Sequence, residues 1–265
     1  MKMEIKKVQQ LELEILREVH RVCTANAIPY YLAYGTMLGA VRHQGFIPWD
    51  DDIDILMYRP DYERFKEIAR RELRAPYRYM DYHSQKNYVN DFAKVCDNRT
   101  RIKEETIAHL DYELGVYIDV FPLDGVSGDP RQARRRQRQF NFHKMLLTLY
   151  YLDNSEKRSF GKRAMIWLIQ KTLDPMKQHE KIERIMKAIP VSASSLVIDY
   201  NSDHAIHSKS VIGRPVLYRF EESEFYGVED SDAYLKSLYG AYRELPPVEQ
   251  RVPHSFDVEW VEAAP

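Results

Sequence analysis

Hydrophobic positions in the first thirty residues recur every three to four places, at Val8, Leu11, Ile15, Val19 and Val22. That spacing predicts an amphipathic helix from Val8 to Cys23, ending near Asn26 and closed by Ile28-Pro29. Tyr30 to Tyr34 then reads as a short strand, Gly35-Thr36 as a turn and Met37 to Arg42 as a short helix starting beside it. The apolar run Ile53-Asp54-Ile55-Leu56-Met57 predicts a second strand. Pro60 suits the start of a helix whose apolar side is Phe65, Ile68, Ala69 and Leu73. Further β-like runs lie at 77–82, 92–96 and 116–121, so the first half predicts an α/β or α+β sheet domain.

From Arg131 to Ile189 the pattern turns mostly helical, with a break near Asp174-Pro175. A last pair of β-like runs, 196–200 and 216–220, precedes a helix around Asp232–Tyr239, and Pro246-Pro247 marks an extended tail. These shifts divide the chain into a core at 1–130, a helical region at 131–190 and a segment at 191–265 that completes the same domain.

Charge narrows the partners. The 265 residues carry a formal net charge of −1, which gives no overall pull towards nucleic acid. One local exception is the basic run from Arg131 to Arg138, followed by Phe140, Phe142, Met145, Leu146 and Leu149. It reads either as a solvated helix face or as a surface, within 131–150, that touches an anionic membrane or a polyanionic acceptor. Cys23 and Cys96 lack metal-ligand spacing, which argues against a thiolate zinc site and fits a reducing compartment. With no long apolar run and no leader-like N-terminus, the expectation is a cytoplasmic protein, with peripheral contact at the inner leaflet left open.

The chemistry concentrates at Asp50, Asp51, Asp52 and Asp54. Four carboxylates within five positions repel one another, and cations relieve the repulsion. The plain alternative is a solvated loop or an adventitious calcium site. Strand alternation puts Asp52 and Asp54 on one face about 7 Å apart, a separation that two hard divalent ions can bridge in phosphoryl transfer. Strand, Gly35-Thr36 turn and helix N-terminus together would present backbone N–H groups to a phosphate.

Gly35-Thr36 followed sixteen residues later by Asp52-Ile53-Asp54-Ile55 resembles the nucleotidyltransferase signature. More narrowly, GTMLGAVRHQGFIPWDDDID is similar to the LicD family, to which fukutin-type proteins are related. The likeness continues through Phe92–Val95, Tyr117–Asp124 and a tail that includes Tyr239-Gly240, Pro246-Pro247, Arg251 and His254. It departs at Ala241, where an acid is common, and at Val228-Glu229, where a Val-Pro pair is usual.

The resemblance implies an α+β fold, with a nucleotidyltransferase-like mixed sheet flanked by helices and a mostly helical additional region. It also implies a third acid on a neighbouring strand, a part that Asp119 matches between Ile118 and Val120. Asp52, Asp54 and Asp119 then become both the catalytic acids and the ligands of a two-metal Mg²⁺ site, with Mn²⁺ as the alternative ion. The implied reaction moves phosphorylcholine from CDP-choline to a hydroxyl of a cell-surface glycan, of teichoic acid or lipopolysaccharide type, or of its lipid-linked precursor. Ribitol, glycerol or ethanolamine phosphate, a true nucleotidyl transfer from an NTP, and a degenerate scaffold remain alternatives. Gly35, Thr36, Arg42, His43 and Lys94 are the expected phosphate contacts. Lys94 leads the cations, because a lysine inside an apolar strand must point at something polar. Trp49, with Tyr30, Tyr31 and Tyr34 nearby, supplies aromatic faces of the kind that hold quaternary ammonium groups, although the tyrosines serve equally as core.

Overall fold

The computed structural model describes residues 3–103, 109–110, 113–155, 158–202, 206–251 and 257–261. Along the chain these form α1 (Ile5–Ala25), β1 (Tyr31–Leu32), α2 (Tyr34–His43), β2 (Asp54–Tyr58), α3 (Arg59–Glu72), β3 (Tyr77–Met80), β4 (Ala93–Asp97), β5 (Thr100–Lys103) and β6 (Tyr117–Val126). They continue as α4 (Pro130–Tyr151), α5 (Phe160–Thr172), α6 (Pro175–Met186), β7 (Leu196–Ile198), β8 (Ile206–Ser208), α7 (Lys209–Ile212), β9 (Val216–Phe220), β10 (Ser223–Gly227), α8 (Ser231–Tyr239) and β11 (Asp257–Trp260).

The main sheet is mixed, in the order β3-β4-β6-β2-β1-β10-β9, with β7 joined to the far end of β6 and β8 to β7. Its centre is the parallel pair β2–β6, and both flanks of that pair are antiparallel. Ile55, Leu56 and Met57 are all buried, as expected of a strand covered on both faces. The apolar stripe of α1 and Tyr62, Phe65 and Ala69 of α3 join these strands in one core. A second core forms where Ala133, Phe140, Leu147 and Tyr151 of α4 meet Ile182 and Met186 of α6 and the β6–β7 end. The segment after 190 adds β7, β9 and β10 to the same sheet.

Several elements differ from the sequence reading. The runs at 196–200 and 216–220 become β7 and β9, which are not partners: β7 pairs with β6 and β8, and β9 with β10. The β5–β11 ribbon joins positions more than 150 residues apart and had no local signal. Gly35 and Thr36 lie inside the first turn of α2 and not in a turn before it.

Candidate active site

The register of three strands builds the site. Asp54 opens β2 opposite Asp119 of β6, and Asp119 lies opposite Lys94 of β4, so two acids and an ammonium stand in a row across the sheet. Backbone bonds lock the row: Asp119 N–H donates to Ile53 O at 2.9 Å, and Asp54 N–H donates to the Thr36 hydroxyl at 2.8 Å. Lys94 Nζ donates to Asp119 Oδ1 at 2.5 Å, with the lysine side chain nearly buried. Its ammonium also sits 3.4 Å from the Tyr117 ring centroid and 5.4 Å from that of Phe92. Lys94 therefore points at something polar, as the strand argument required, and that partner is the Asp119 carboxylate.

A returning loop delivers the other acids. The chain reverses at Gln44, which adopts a left-handed conformation with φ +56°, and then runs back along α2. The face of α2 that it crosses is stripped of side chains: a Cβ on Gly39 would stand 2.4 Å from Gly45 O, and one on Gly35 2.6 Å from Asp50 Oδ2. The Gly35 and Gly39 positions, one turn apart, thus make room for the loop. Asp50 arrives against the N-terminal turn of α2, where Gly35 and Thr36 were expected to face a phosphate. Gln9 Nε2 of α1 holds the loop by donating to Asp50 O at 2.7 Å.

Burial and crowding raise the proton affinity of Asp54 and Asp50. Burial, then the neighbouring Asp52 and Asp119 charges, hold Asp54 well above the usual carboxylate range, with Lys94 opposing. Burial and then Asp52 push Asp50 up to about 8. Asp52 precedes β2 as part of an extended lead-in, not of the strand itself, yet its charge still falls on Asp54 and Asp50.

Among the described residues, no three His, Cys, Asp or Glu side chains stand in a finished metal-ligating geometry. In kind, the donors fit a hard divalent cation: they are carboxylate oxygens, and the charge they place on one another is what such an ion relieves.

Arg42 and His43 sit at the C-terminal end of α2, not beside Gly35-Thr36, roughly 10 Å away along the helix axis. Arg42 Nε donates to His43 Nε2 at 3.0 Å, and Nη1 donates to Tyr242 O at 2.9 Å, which ties down the segment after α8. Trp49 is partly buried, edge-on to His43 at 6.4 Å and 5.2 Å from the Arg251 guanidinium. Tyr30 and Tyr31 are buried core residues. His254 lies outside the described residues.

Glu12 went unread in the sequence, and Tyr239 and Tyr34 were read there without the surroundings that the fold gives them. Glu12 of α1 is buried, its Oε2 has no hydrogen-bond partner, and burial followed by Asp52, Asp51, Asp50 and Asp54 raises its proton affinity. Its signal was present: Glu12 falls four residues after Val8 and three before Ile15, inside the apolar stripe. Tyr239 of α8, 43% exposed, has the proton affinity of its phenol raised by partial burial and then by the charges of Asp54, Asp50 and Asp52. Tyr34, at φ +45° in the left-handed region, is held at both ends, its N–H donating to Tyr234 Oη at 3.3 Å and its hydroxyl to Asp199 Oδ2 at 2.6 Å.

Residues 27–165, just over half of the chain, match the family model described as LicD/FKTN/FKRP, nucleotidyltransferase domain. The chain belongs to the LicD family. It is 28% identical over 275 aligned residues to the lipopolysaccharide cholinephosphotransferase LicD of Haemophilus influenzae, an alignment that covers 98% of this chain and 99% of the relative. The ribitol 5-phosphate transferase FKRP of human and of mouse is 32% identical over 87 residues, 31% of this chain and 18% of that protein. The LicD-family match spans α2, the acidic loop, β2, β4 and β6, which together carry the row of Asp54, Asp119 and Lys94.

The raised proton affinity of Asp50 has a measurable sign. An unfolded Asp50 ionises near the ordinary carboxylate value, whereas the folded one keeps its proton up to about 8, so the stability it contributes is complete at low pH and lost as pH rises towards 8. Between about pH 7 and 8, the metal-free protein should lose about 1 kcal/mol per pH unit more than an Asp50→Asn variant does. A divalent cation held by these acids would favour their ionised form, so added Mg²⁺ would then stabilise the wild type more at the upper pH than at the lower. Urea unfolding at both pH values reads this, and equal pH slopes in the two proteins would refute the assignment.

Proposed function

We propose that the protein transfers a phosphorylated alcohol, phosphorylcholine foremost, from a CDP-activated donor to a hydroxyl of a cell-surface glycan or its lipid-linked precursor. The observation that carries this reading is the row of Asp54, Asp119 and Lys94 with Asp52 alongside, in a chain aligned almost end to end with a cholinephosphotransferase. Asp52, Asp54 and Asp119 would hold Mg²⁺, which when bound supplies positive charge against the diphosphate oxygens. In the transfer, the acceptor oxygen bonds to the phosphorus that carries the alcohol while the bond from that phosphorus to CMP breaks. Asp119, oriented by Lys94, would take the hydroxyl proton, and CMP leaves as the phosphate monoester. The protonated phenol of Tyr239 would donate to a phosphate oxygen.

Choline is favoured by the wall beside Asp119. Phe92 packs on Phe121 at 4.3 Å between centroids, and Phe121 meets the Tyr34 edge at 5.8 Å. Aromatic faces of this kind attract a quaternary ammonium, which offers no hydrogen-bond donor. A thermal-shift screen with Mg²⁺ separates the donors. CDP-choline at a hundredfold excess over its Kd should stabilise the fold by about 2.7 kcal/mol. A larger shift with CDP-ribitol would move the assignment to ribitol phosphate, and shifts with NTPs alone would overturn the phospho-alcohol reading in favour of nucleotidyl transfer.

A further inference from the structure

The helical region combines two features that nothing in the catalytic reading uses. Residues 130–173 hold eleven basic and two acidic side chains, a net +9, whereas the remainder of the chain carries −10. Seven-residue spacing buries Ala133, Phe140 and Leu147 on one stripe of α4. The exposed stripe carries Arg131, Arg134, Arg135 and Arg138, then Phe142 and Met145. The four arginines and Phe142 line a shallow groove of about 510 Å³.

Helix α5, wholly among the described residues, packs mainly on α4 and buries Ile166 alone. Its apolar side chains face outward: Phe160 is 86% exposed and Trp167 57%, with Met165 and Leu168 beside them. Gln170 Nε2 fastens the helix by donating to Tyr150 O and Leu152 O, both at 3.0 Å. An exposed aromatic and aliphatic face of this kind is not what a free surface keeps.

We propose that α4 and α5 form a docking surface for an anionic lipid bilayer. The pairing of chemistries selects this occupant. A dissolved polyanion would be met by the arginines but gives no place to Phe160, Trp167 and Leu168. An apolar protein groove would take those side chains but gives no reason for a local charge of +9. An anionic bilayer meets both, with guanidinium groups at the headgroups and aromatic and aliphatic side chains at the acyl boundary. Among the described residues no helix is long and apolar enough to cross a membrane, so the contact lies in the interface plane. The same helix α4 reaches the catalytic side, where Lys144 Nζ lies 6.0 Å from the Phe92 ring centroid.

Co-sedimentation with vesicles of phosphatidylcholine alone, and of phosphatidylcholine with phosphatidylglycerol, tests the surface without reference to turnover. The full chain should pellet with the anionic vesicles and not with the neutral ones, and added salt should release it. A triple Arg134→Glu, Arg135→Glu, Arg138→Glu variant and a double Trp167→Ser, Leu168→Ser variant should each lose about tenfold or more in partitioning, with unchanged melting temperatures. Equal partitioning into both vesicle types, absence of binding, or wild-type binding by either variant overturns the proposal. A dimer in vesicle-free buffer that Trp167→Ser, Leu168→Ser dissolves would assign the face to a second copy and overturn it as well.

Discussion

Asp54→Asn should reduce Mg²⁺-dependent CMP release by about a thousandfold or more while the fold persists. The two halves of that outcome have separate causes. Asp54 stands at the start of β2, opposite Asp119, and is the acid on which the charges of Asp52, Asp119 and Asp50 converge. Removing its carboxylate takes away a proposed ligand of the cation, but it also relieves repulsion in the metal-free protein, so stability in the absence of Mg²⁺ should hold or rise. Asp119→Asn should behave differently. It leaves the Lys94 ammonium, almost fully buried, without its carboxylate, and truncating one partner of a buried pair is strongly destabilising. Activity assays beside urea unfolding in the absence of Mg²⁺ distinguish the two variants. Near wild-type turnover in Asp54→Asn would remove the assigned site.

That contrast marks how far local sequence reaches. Asp54, Asp119 and Lys94 were legible because each sits inside an apolar strand, where an isolated charge must face a polar partner, and the strand register then places them side by side. Asp52 was legible as an acid but was put on the strand by alternation, whereas β2 begins at Asp54 and leaves Asp52 in the lead-in. Gly35 was recognised and assigned to a phosphate, whereas its missing side chain admits Asp50, a contact that depends on a loop folding back along α2. Arg42 looked like a phosphate ligand from its position after the Gly-Thr pair, but a helix carries it to the other end, where it holds Tyr242 O.

The β9–β10 hairpin was invisible for a related reason. Its two-residue connection is Glu221-Glu222, with Glu221 at φ +56°, a conformation usually given to Gly or Asn. It is stabilised from outside the hairpin: Glu221 N–H donates to Gln44 O at 2.8 Å, and its Oε1 accepts from Phe46 N–H at 3.0 Å. The loop that brings Asp50 to α2 therefore also fixes this turn, and neither half carries the signal alone.

Asp124→Ala should lower stability by about 3–5 kcal/mol, the cost of leaving a buried charge without its partner. Asp124 is 1% exposed near the end of β6 and accepts a bidentate pair from Arg59, with Nε at 2.8 Å and Nη2 at 2.6 Å. The same guanidinium reaches Glu63 at 3.2 Å, and Lys187 bridges Glu63 and Glu183 at 2.7 Å each. These bonds join α3, the central strand and α6, so the loss falls where the sheet meets the helical layer. A double Arg59→Met, Asp124→Leu variant should recover much of the stability, since apolar side chains of similar volume leave no charge unpaired. Asp124 is five residues from Asp119 and so faces the opposite side of the strand, which predicts that folded Asp124→Ala keeps its turnover at low temperature. Urea unfolding of the single and double variants, read with CMP release, measures both parts. A loss below about 1 kcal/mol in the single variant would show that Arg59 finds another counter-charge in the Glu63 network.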